Sequence, residues 1–179
     1  LAAGTEEEIV RFVSDPRVNG IGFTGSPKTG RKIAHRGAGK PMLLELGGNG
    51  PVIVLDDADL DKAAQAAAFG CFFNAGQVCA ATGRILTTRK THNAIVERLA
   101  KIADEIVLGP SVNPATTMGP LNNADVLFKT QAHISDARCL GGDLITGGNP
   151  RPDLGSDLFF EPTVLADVPK TSMLHTKET

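Results

Sequence analysis

Tryptophan and tyrosine are absent from this 179-residue sequence, and only three residues are cysteine. Proteins that stack nucleic-acid bases rely on aromatic side chains and clustered positive charge, whereas here 18 Lys and Arg are scattered among 20 Asp and Glu. No apolar run approaches the roughly 18 residues that a membrane-spanning helix needs. These absences argue against a nucleic-acid-binding protein and against a membrane span.

The cysteines, Cys71, Cys79 and Cys139, are odd in number and widely spaced. A disulfide framework is therefore a poor interpretation, and a reducing compartment is a better one. The sequence has no C-x-x-C pair, and its four histidines lie far from the cysteines without helical i, i+4 pairing. We therefore predict no metal site, and we expect each histidine to be solvated or merely packed.

The first ten residues, LAAGTEEEIV, are acidic and lack the basic-then-apolar order of a signal peptide. We therefore expect a cytoplasmic location, with the mitochondrial matrix equally compatible. Because no Met begins the sequence, we also expect an internal or trimmed part of a longer protein.

Helical and strand patterns alternate along the chain, which predicts an α/β fold. Helices are predicted to begin at a capping box of Thr5 and Glu8, after Ser26 with Pro27 in the first turn, after Asp59, and at Thr91. A further helix is predicted within residues 122–142. Strands are predicted at residues 20–24, 41–46, 51–55, 84–88, 143–148 and 161–168.

Cys79 follows the predicted break of the third helix at Gly76, in the stretch FFNAGQVC. Small neighbours let the backbone approach a reacting group closely, and nearby N–H groups could stabilise an anion. Taken alone, however, a single cysteine is more often a small packing residue. Cys79 therefore stays open between a nucleophile and a core residue.

Two other places in the sequence have both a functional interpretation and a simpler structural one. Glu45 ends an apolar strand just before Gly47, so it is either exposed at an edge or partly buried with a raised pKa and able to act as a base. Gly25 and Ser26 lie between a strand and a helix, where N–H groups and the helix dipole suit a phosphate. The same residues are also common in any tight turn.

The combination of motifs is more specific than each part. FTGS at 23–26, LELGG at 44–48, FFNAGQVC at 72–79, Gly-Pro at 119–120 and FFEPTV at 159–164 resemble, in order and spacing, the aldehyde dehydrogenase superfamily. The semialdehyde dehydrogenase branch looks nearest. Glu45 lies 34 residues before Cys79, which matches the family's spacing of general base and nucleophile.

The resemblance covers essentially the whole chain but only the middle of a typical family member. It implies that residues 1–47 are the end of a Rossmann-type NAD(P)-binding domain and that residues 48–179 are the first part of the α/β catalytic domain. The chain alone is then expected to be inactive. The complete enzyme is expected to be a homodimer or homotetramer that oxidises a small aldehyde.

The resemblance also implies the role of each site residue. Cys79 would form a thiohemiacetal and then a thioester, and Glu45 would activate the water that hydrolyses it. Asn74 and Gln77 would shape the loop without reacting.

For the cofactor, NAD or NADP, the resemblance implies that Gly25 and Ser26 meet the pyrophosphate and that Leu46 lines the nicotinamide pocket. Glu178 is the candidate for the family's glutamate on the nicotinamide ribose, with Thr179 as the alternative position.

Other functions stay open at this point. A thiol esterase or acyl-transfer enzyme would use Cys79 and Glu45 without a nicotinamide. A reductase acting on an acyl phosphate or acyl-CoA could use the same thiol, although Glu45 favours hydrolysis. A non-catalytic module would keep the motifs only for packing, and its Cys79 would be unreactive.

Overall fold

The computed structural model describes residues 6–179. The chain divides into two compact units, Leu1–Gly48 and Asn49–Thr179. The predicted capping box of Thr5 and Glu8 lies outside the described residues, because Thr5 is not among them. No helix within residues 6–179 is long and apolar enough to cross a membrane.

The first unit folds in the order α1 (Glu6–Ser14), β1 (Ile21–Gly25), α2 (Pro27–Arg36) and β2 (Met42–Leu46). The two strands are parallel, with Ile21 opposite Met42 and Gly25 opposite Leu46. Parallel strands need a crossover connection, which α2 supplies. As a result, Gly25 and Leu46 lie together at the carboxyl end of this sheet.

The start of α2 is fixed by local chemistry, as predicted. The Ser26 hydroxyl oxygen accepts a hydrogen bond from the Thr29 backbone N–H at 3.2 Å, and Pro27 occupies the first helical position. A serine cap satisfies one of the N–H groups that a helix leaves unpaired at its first turn. The short turn from β1 into α2 is thereby set.

The second unit contains two separate two-stranded sheets and three α-helices. Strands β3 and β4 pair in parallel, and β5 and β6 pair antiparallel. Three 3-10 turns connect the larger elements. In order, the elements are β3 (Gly50–Val54), α3 (Leu60–Phe72), the turn Phe73–Gly76, β4 (Thr82–Thr87), α4 (His92–Asp104), α5 (Ala124–Cys139), β5 (Asp143–Thr146), the turn Pro152–Leu154, β6 (Val164–Ala166) and the turn Met173–His175.

The main core of this unit forms where α3 packs on α4. Asp59 caps α3 by accepting from the Lys62 N–H at 3.2 Å. The face of α3 that packs inward carries Ala64 and Ala67, both essentially inaccessible, so larger side chains of α4 such as Ile95 and Leu99 fit closely against it. Close packing of small against large residues gives the interior density of a well-ordered core.

Most predicted boundaries differ from the structure by one or two residues, and two of the differences have a clear backbone cause. Helix α3 ends at Phe72, before the predicted break at Gly76, because Asn74 takes the left-handed conformation at φ 52° and cannot continue the helix. The last predicted strand, residues 161–168, shortens to β6. Pro162 has no N–H to pair, and Asp167 at φ 49° turns the chain away.

Shortening Ile95 to alanine should strongly destabilise the second unit. Ile95 is 1% exposed in the α3–α4 core, and Ile→Ala cavities cost about 2–5 kcal/mol. Urea unfolding followed by circular dichroism measures the change. Val112→Ala is the control, since Val112 is 89% exposed and its substitution should change stability by less than about 0.5 kcal/mol. Equal effects of the two changes would contradict this core.

Candidate thiol and cofactor site

The turn after α3 ends the helix and places Cys79 in the following loop. Asn74, Ala75 and Gly76 are consecutive left-handed residues, with φ of 52°, 55° and 74°. For a residue such as Ala75 this conformation costs about 1 kcal/mol or more, so surrounding contacts must hold it. A Cβ on Gly76 would also approach the Cys71 carbonyl oxygen at 3.1 Å.

The side chain of Gln77 holds this turn. Its Nε2 donates to the carbonyl oxygens of Asn74 at 3.0 Å and Pro120 at 3.4 Å, and its Oε1 accepts from the Asn122 N–H at 2.7 Å. Asn74 Nδ2 donates in return to the Gln77 carbonyl oxygen at 3.2 Å. These bonds confirm that Asn74 and Gln77 shape the loop, and they tie it to the Gly-Pro segment 43 residues away.

The two neighbouring thiols have opposite environments. Cys79 is exposed in the loop before β4, whereas Cys71 lies inside α3 and is partly buried. Burial raises the pKa of Cys71 to about 11, because a thiolate is poorly solvated there. Cys79 is open to a reactant, and Cys71 is held in its unreactive thiol form.

In the first unit, Gly25 and Ser26 form the turn at the carboxyl end of β1. A Cβ on Gly25 would come within 2.6 Å of the Phe23 ring, so the close turn favours glycine. The first turn of α2 holds Lys28 and no acidic side chain. The positive first turn of this ten-residue helix is a suitable binding position for an anionic group.

Glu45 and Leu46 point to opposite faces of β2. Of the two alternatives for Glu45, the structure shows the exposed one, on the same face as the exposed Leu43. Leu46 is half-buried and packs toward α2, where a Cβ on Gly30 would lie 2.5 Å from its side chain.

Glu178 is exposed in the second unit, next to the last residue. The Thr179 hydroxyl lies 2.9 Å from Nδ1 of the buried His133, and burial lowers the pKa of this histidine. The candidate residues thus divide between the units: Gly25, Ser26, Glu45 and Leu46 belong to the first, and Cys79 and Glu178 to the second.

Other sites are less well developed. A cavity of about 410 Å³ along α5 is lined by Gln131, Ser135, Arg138 and Cys139, and it includes none of the predicted site residues. Within residues 6–179, no cluster of three His, Cys, Asp or Glu side chains could hold a metal ion. The exposed Cys79 thiol on a braced loop of an α/β protein is compatible with a thiol enzyme.

The comparisons identify the family. The model of the aldehyde dehydrogenase family matches residues 2–179, and the chain belongs to this family. It is 37% identical over 170 residues to the succinate-semialdehyde dehydrogenase [NADP(+)] GabD of Escherichia coli, covering 94% of this chain and 35% of that protein. The chain spans about one third of the length of the curated relatives it matches.

Solved structures agree with the fold. The succinate-semialdehyde dehydrogenase of Burkholderia pseudomallei matches with a TM-score of 0.93 and 36% identity, over 99% of this chain and 37% of that one. The betaine aldehyde dehydrogenase of Staphylococcus aureus in complex with NAD+ matches with a TM-score of 0.88 and 32% identity, over 94% of this chain and 34% of that one. The predicted α/β, aldehyde-dehydrogenase-like fold is therefore confirmed.

The thiols should differ in alkylation by iodoacetamide. In the folded chain at pH 8, Cys79 and Cys139 should react, and Cys71 should react about 10²-fold more slowly, because only the thiolate attacks and the pKa of Cys71 is about 11. Its rate should rise about tenfold per pH unit until the pH nears that pKa. Peptide mass spectrometry measures each rate. Equal rates for Cys71 and Cys139 in the folded state would contradict the burial of Cys71.

Proposed function

We propose that this chain forms the nucleophile-bearing part of an NAD(P)-dependent aldehyde dehydrogenase. The observation that carries the proposal is the exposed Cys79 on the loop that Gln77 braces, in a chain of this family. Residues 1–47 would be the end of the cofactor-binding domain and residues 48–179 the start of the catalytic domain. Turnover is proposed for a protein of the relatives' full length that contains these residues.

The first half-reaction uses Cys79. Its thiolate sulfur forms a bond to the aldehyde carbon, and the carbonyl electron pair moves to oxygen. The backbone N–H of Cys79 donates to this oxyanion, since a thiolate and its own amide can face the same carbonyl group. A bound NAD(P)+ supplies the hydride acceptor. When the oxyanion's electron pair re-forms the carbonyl group, the C–H bond breaks, the hydride leaves to that acceptor, and a thioester on Cys79 remains.

The second half-reaction uses Glu45. Its carboxylate takes a proton from water, and the resulting hydroxide attacks the thioester carbon. The C–S bond breaks, the carboxylic acid leaves, and Cys79 returns to its thiolate. The role rests on the spacing of Glu45 and Cys79 in a chain of this family, and because Glu45 is exposed here, the burial that would suit a base must come from the rest of a full-length protein. A bound nicotinamide would occupy space that water enters later, so Glu45 and Cys79 need not touch in every state.

The residues of the first unit fit a dinucleotide. Gly25 and Ser26 would meet the pyrophosphate at the positive start of α2, and the parallel pairing brings Leu46 to the same sheet end, as the nicotinamide contact requires. Glu178 would hold the nicotinamide ribose. Both NAD and NADP remain within the proposal, because one matched relative is named for NADP+ and another was solved with NAD+.

Replacing Cys79 by alanine should abolish aldehyde oxidation in the full-length enzyme. Without sulfur neither the thiohemiacetal nor the thioester forms, so the turnover rate should fall by about 10³-fold or more. NAD(P)H absorbance measures it. Cys139→Ala removes another exposed thiol and should leave the rate unchanged. Retention of more than a few per cent of activity by Cys79→Ala would exclude the proposed nucleophile.

Replacing Glu45 by glutamine should slow deacylation more than acylation. The amide cannot take a proton from water, so steady-state turnover should fall about 10²-fold or more while the first burst of NAD(P)H persists. Stopped-flow absorbance separates the two phases. Glu105→Gln, an exposed carboxylate at the end of α4, is the matched control. Unchanged turnover with an undiminished burst would argue against Glu45 as the base.

A further inference from the structure

Residues 172–179, here called the terminal segment, carry Glu178 and are anchored at their start by α5. The turn Met173–His175 begins at Ser172, which is completely buried. Asp136 Oδ2 accepts from the Ser172 hydroxyl at 2.7 Å and from the Met173 N–H at 2.8 Å, and these bonds lower the pKa of Asp136. This end of the segment is thereby fixed by a carboxylate at the turn's N-terminus.

The other end of the segment presents carbonyl oxygens that need donors, as helix ends do. Asn49 Nδ2 donates to the carbonyl oxygens of Leu174 at 2.6 Å and Lys177 at 3.0 Å. Arg84 Nη1 donates to the His175 carbonyl oxygen at 3.4 Å. The Asn49 amide thus bonds one carbonyl oxygen within the turn and one after it, directly before Glu178.

Asn49 is itself held in place. Arg84 Nη2 donates to its carbonyl oxygen at 3.0 Å, which fixes the Asn49 backbone against β4. Beside its side chain lies Gly83, where a Cβ would come within 2.5 Å of Asn49 Oδ1. Because both partners of the Asn49 amide are carbonyl oxygens, which only accept, its NH₂ group faces the terminal segment.

We infer that Asn49 is a positioning residue for the cofactor site: its amide fixes the Leu174–Lys177 carbonyls and so holds Glu178 where a nicotinamide ribose would meet it. The inference rests on the proposed role of Glu178. It assigns a function to Asn49 beyond its place in the connection before β3, because Asn49 carries the donor that holds the terminal segment.

The first test is Asn49→Asp, which keeps the shape and replaces the donating NH₂ by an oxygen that repels both carbonyls. Hydrogen exchange, read by mass spectrometry on the 179-residue chain, should become at least about tenfold faster for the amides of residues 173–177, whose N–H groups are hydrogen-bonded in the folded chain. Asn113→Asp is the matched control: it adds the same charge, and Asn113 Oδ1 only accepts, from the Ala115 N–H. Unchanged exchange in Asn49→Asp would overturn the inference.

A second variant reaches the same amide without changing Asn49. Gly83→Ala should displace the Asn49 side chain through the added Cβ and speed exchange of the same amides. Gly22→Ala, where a Cβ meets open space, is its control. Faster exchange confined to Gly83→Ala and Asn49→Asp supports the inference even if one of them folds poorly. The same exchange in Gly22→Ala as in Gly83→Ala would count against it.

The functional test uses an active dehydrogenase containing these residues. Asn49→Asp should raise the KM for NAD(P)+ about tenfold and leave kcat within about threefold, because a misplaced ribose contact weakens binding more than chemistry. Glu178→Gln is measured in parallel. If only Glu178→Gln raises KM, the positioning role of Asn49 is wrong and the proposed function stands. If neither does, the role of Glu178 itself is wrong, and the inference falls with it.

Discussion

The close packing of the alanine face of α3 on α4 is the constraint on which the thiol site depends. Ala64 and Ala67 have almost no accessible surface, so α3 cannot slide or rotate without overlapping Ile95 and Leu99. The position of its last residue, Phe72, is therefore fixed. The left-handed turn that follows begins from a rigid support, which is what a reacting loop needs to keep its geometry.

Several sheet and helix residues leave apolar surface exposed. Leu43 on β2 and Ile53 on β3 are each 65% exposed, and the exposed rings of Phe69 and Phe73 lie 5.2 Å apart at the end of α3. Parallel sheets usually have both faces covered. Relatives about three times as long have further chain that could cover such faces, which is consistent with proposing activity only for the longer protein.

The sequence predicted the features that depend on neighbouring residues. The caps at Ser26 and Asp59 were predictable because each side chain bonds an N–H three residues on. The strands and helices followed from periodicity for the same reason. Glu45 was left between two environments, since alternation in a short strand gives opposite faces but not which face is covered.

The contacts that define the candidate site join distant parts of the chain, so local sequence patterns do not predict them. Gln77 reaches Asn122, Asp136 reaches Ser172, and Asn49 reaches Leu174. Only the motif order pointed to Gln77, and nothing in the sequence pointed to Asn49 beyond its place in a glycine-rich turn. The early end of α3 was missed because Ala75 is a strong helix former that tertiary contacts hold in a left-handed conformation.

The break in α3 also explains how two cysteines eight residues apart acquire different chemistry. In an unbroken helix, positions i and i+8 share a broad face, so Cys79 would follow Cys71 toward the same environment. The left-handed residues 74–76 redirect the chain, and the Gln77 amide stabilises the new direction. Burial then keeps Cys71 protonated, while Cys79 stays exposed. The left-handed turn thus gives the two thiols different environments, and the hydrogen bonds of Gln77 help to hold that turn.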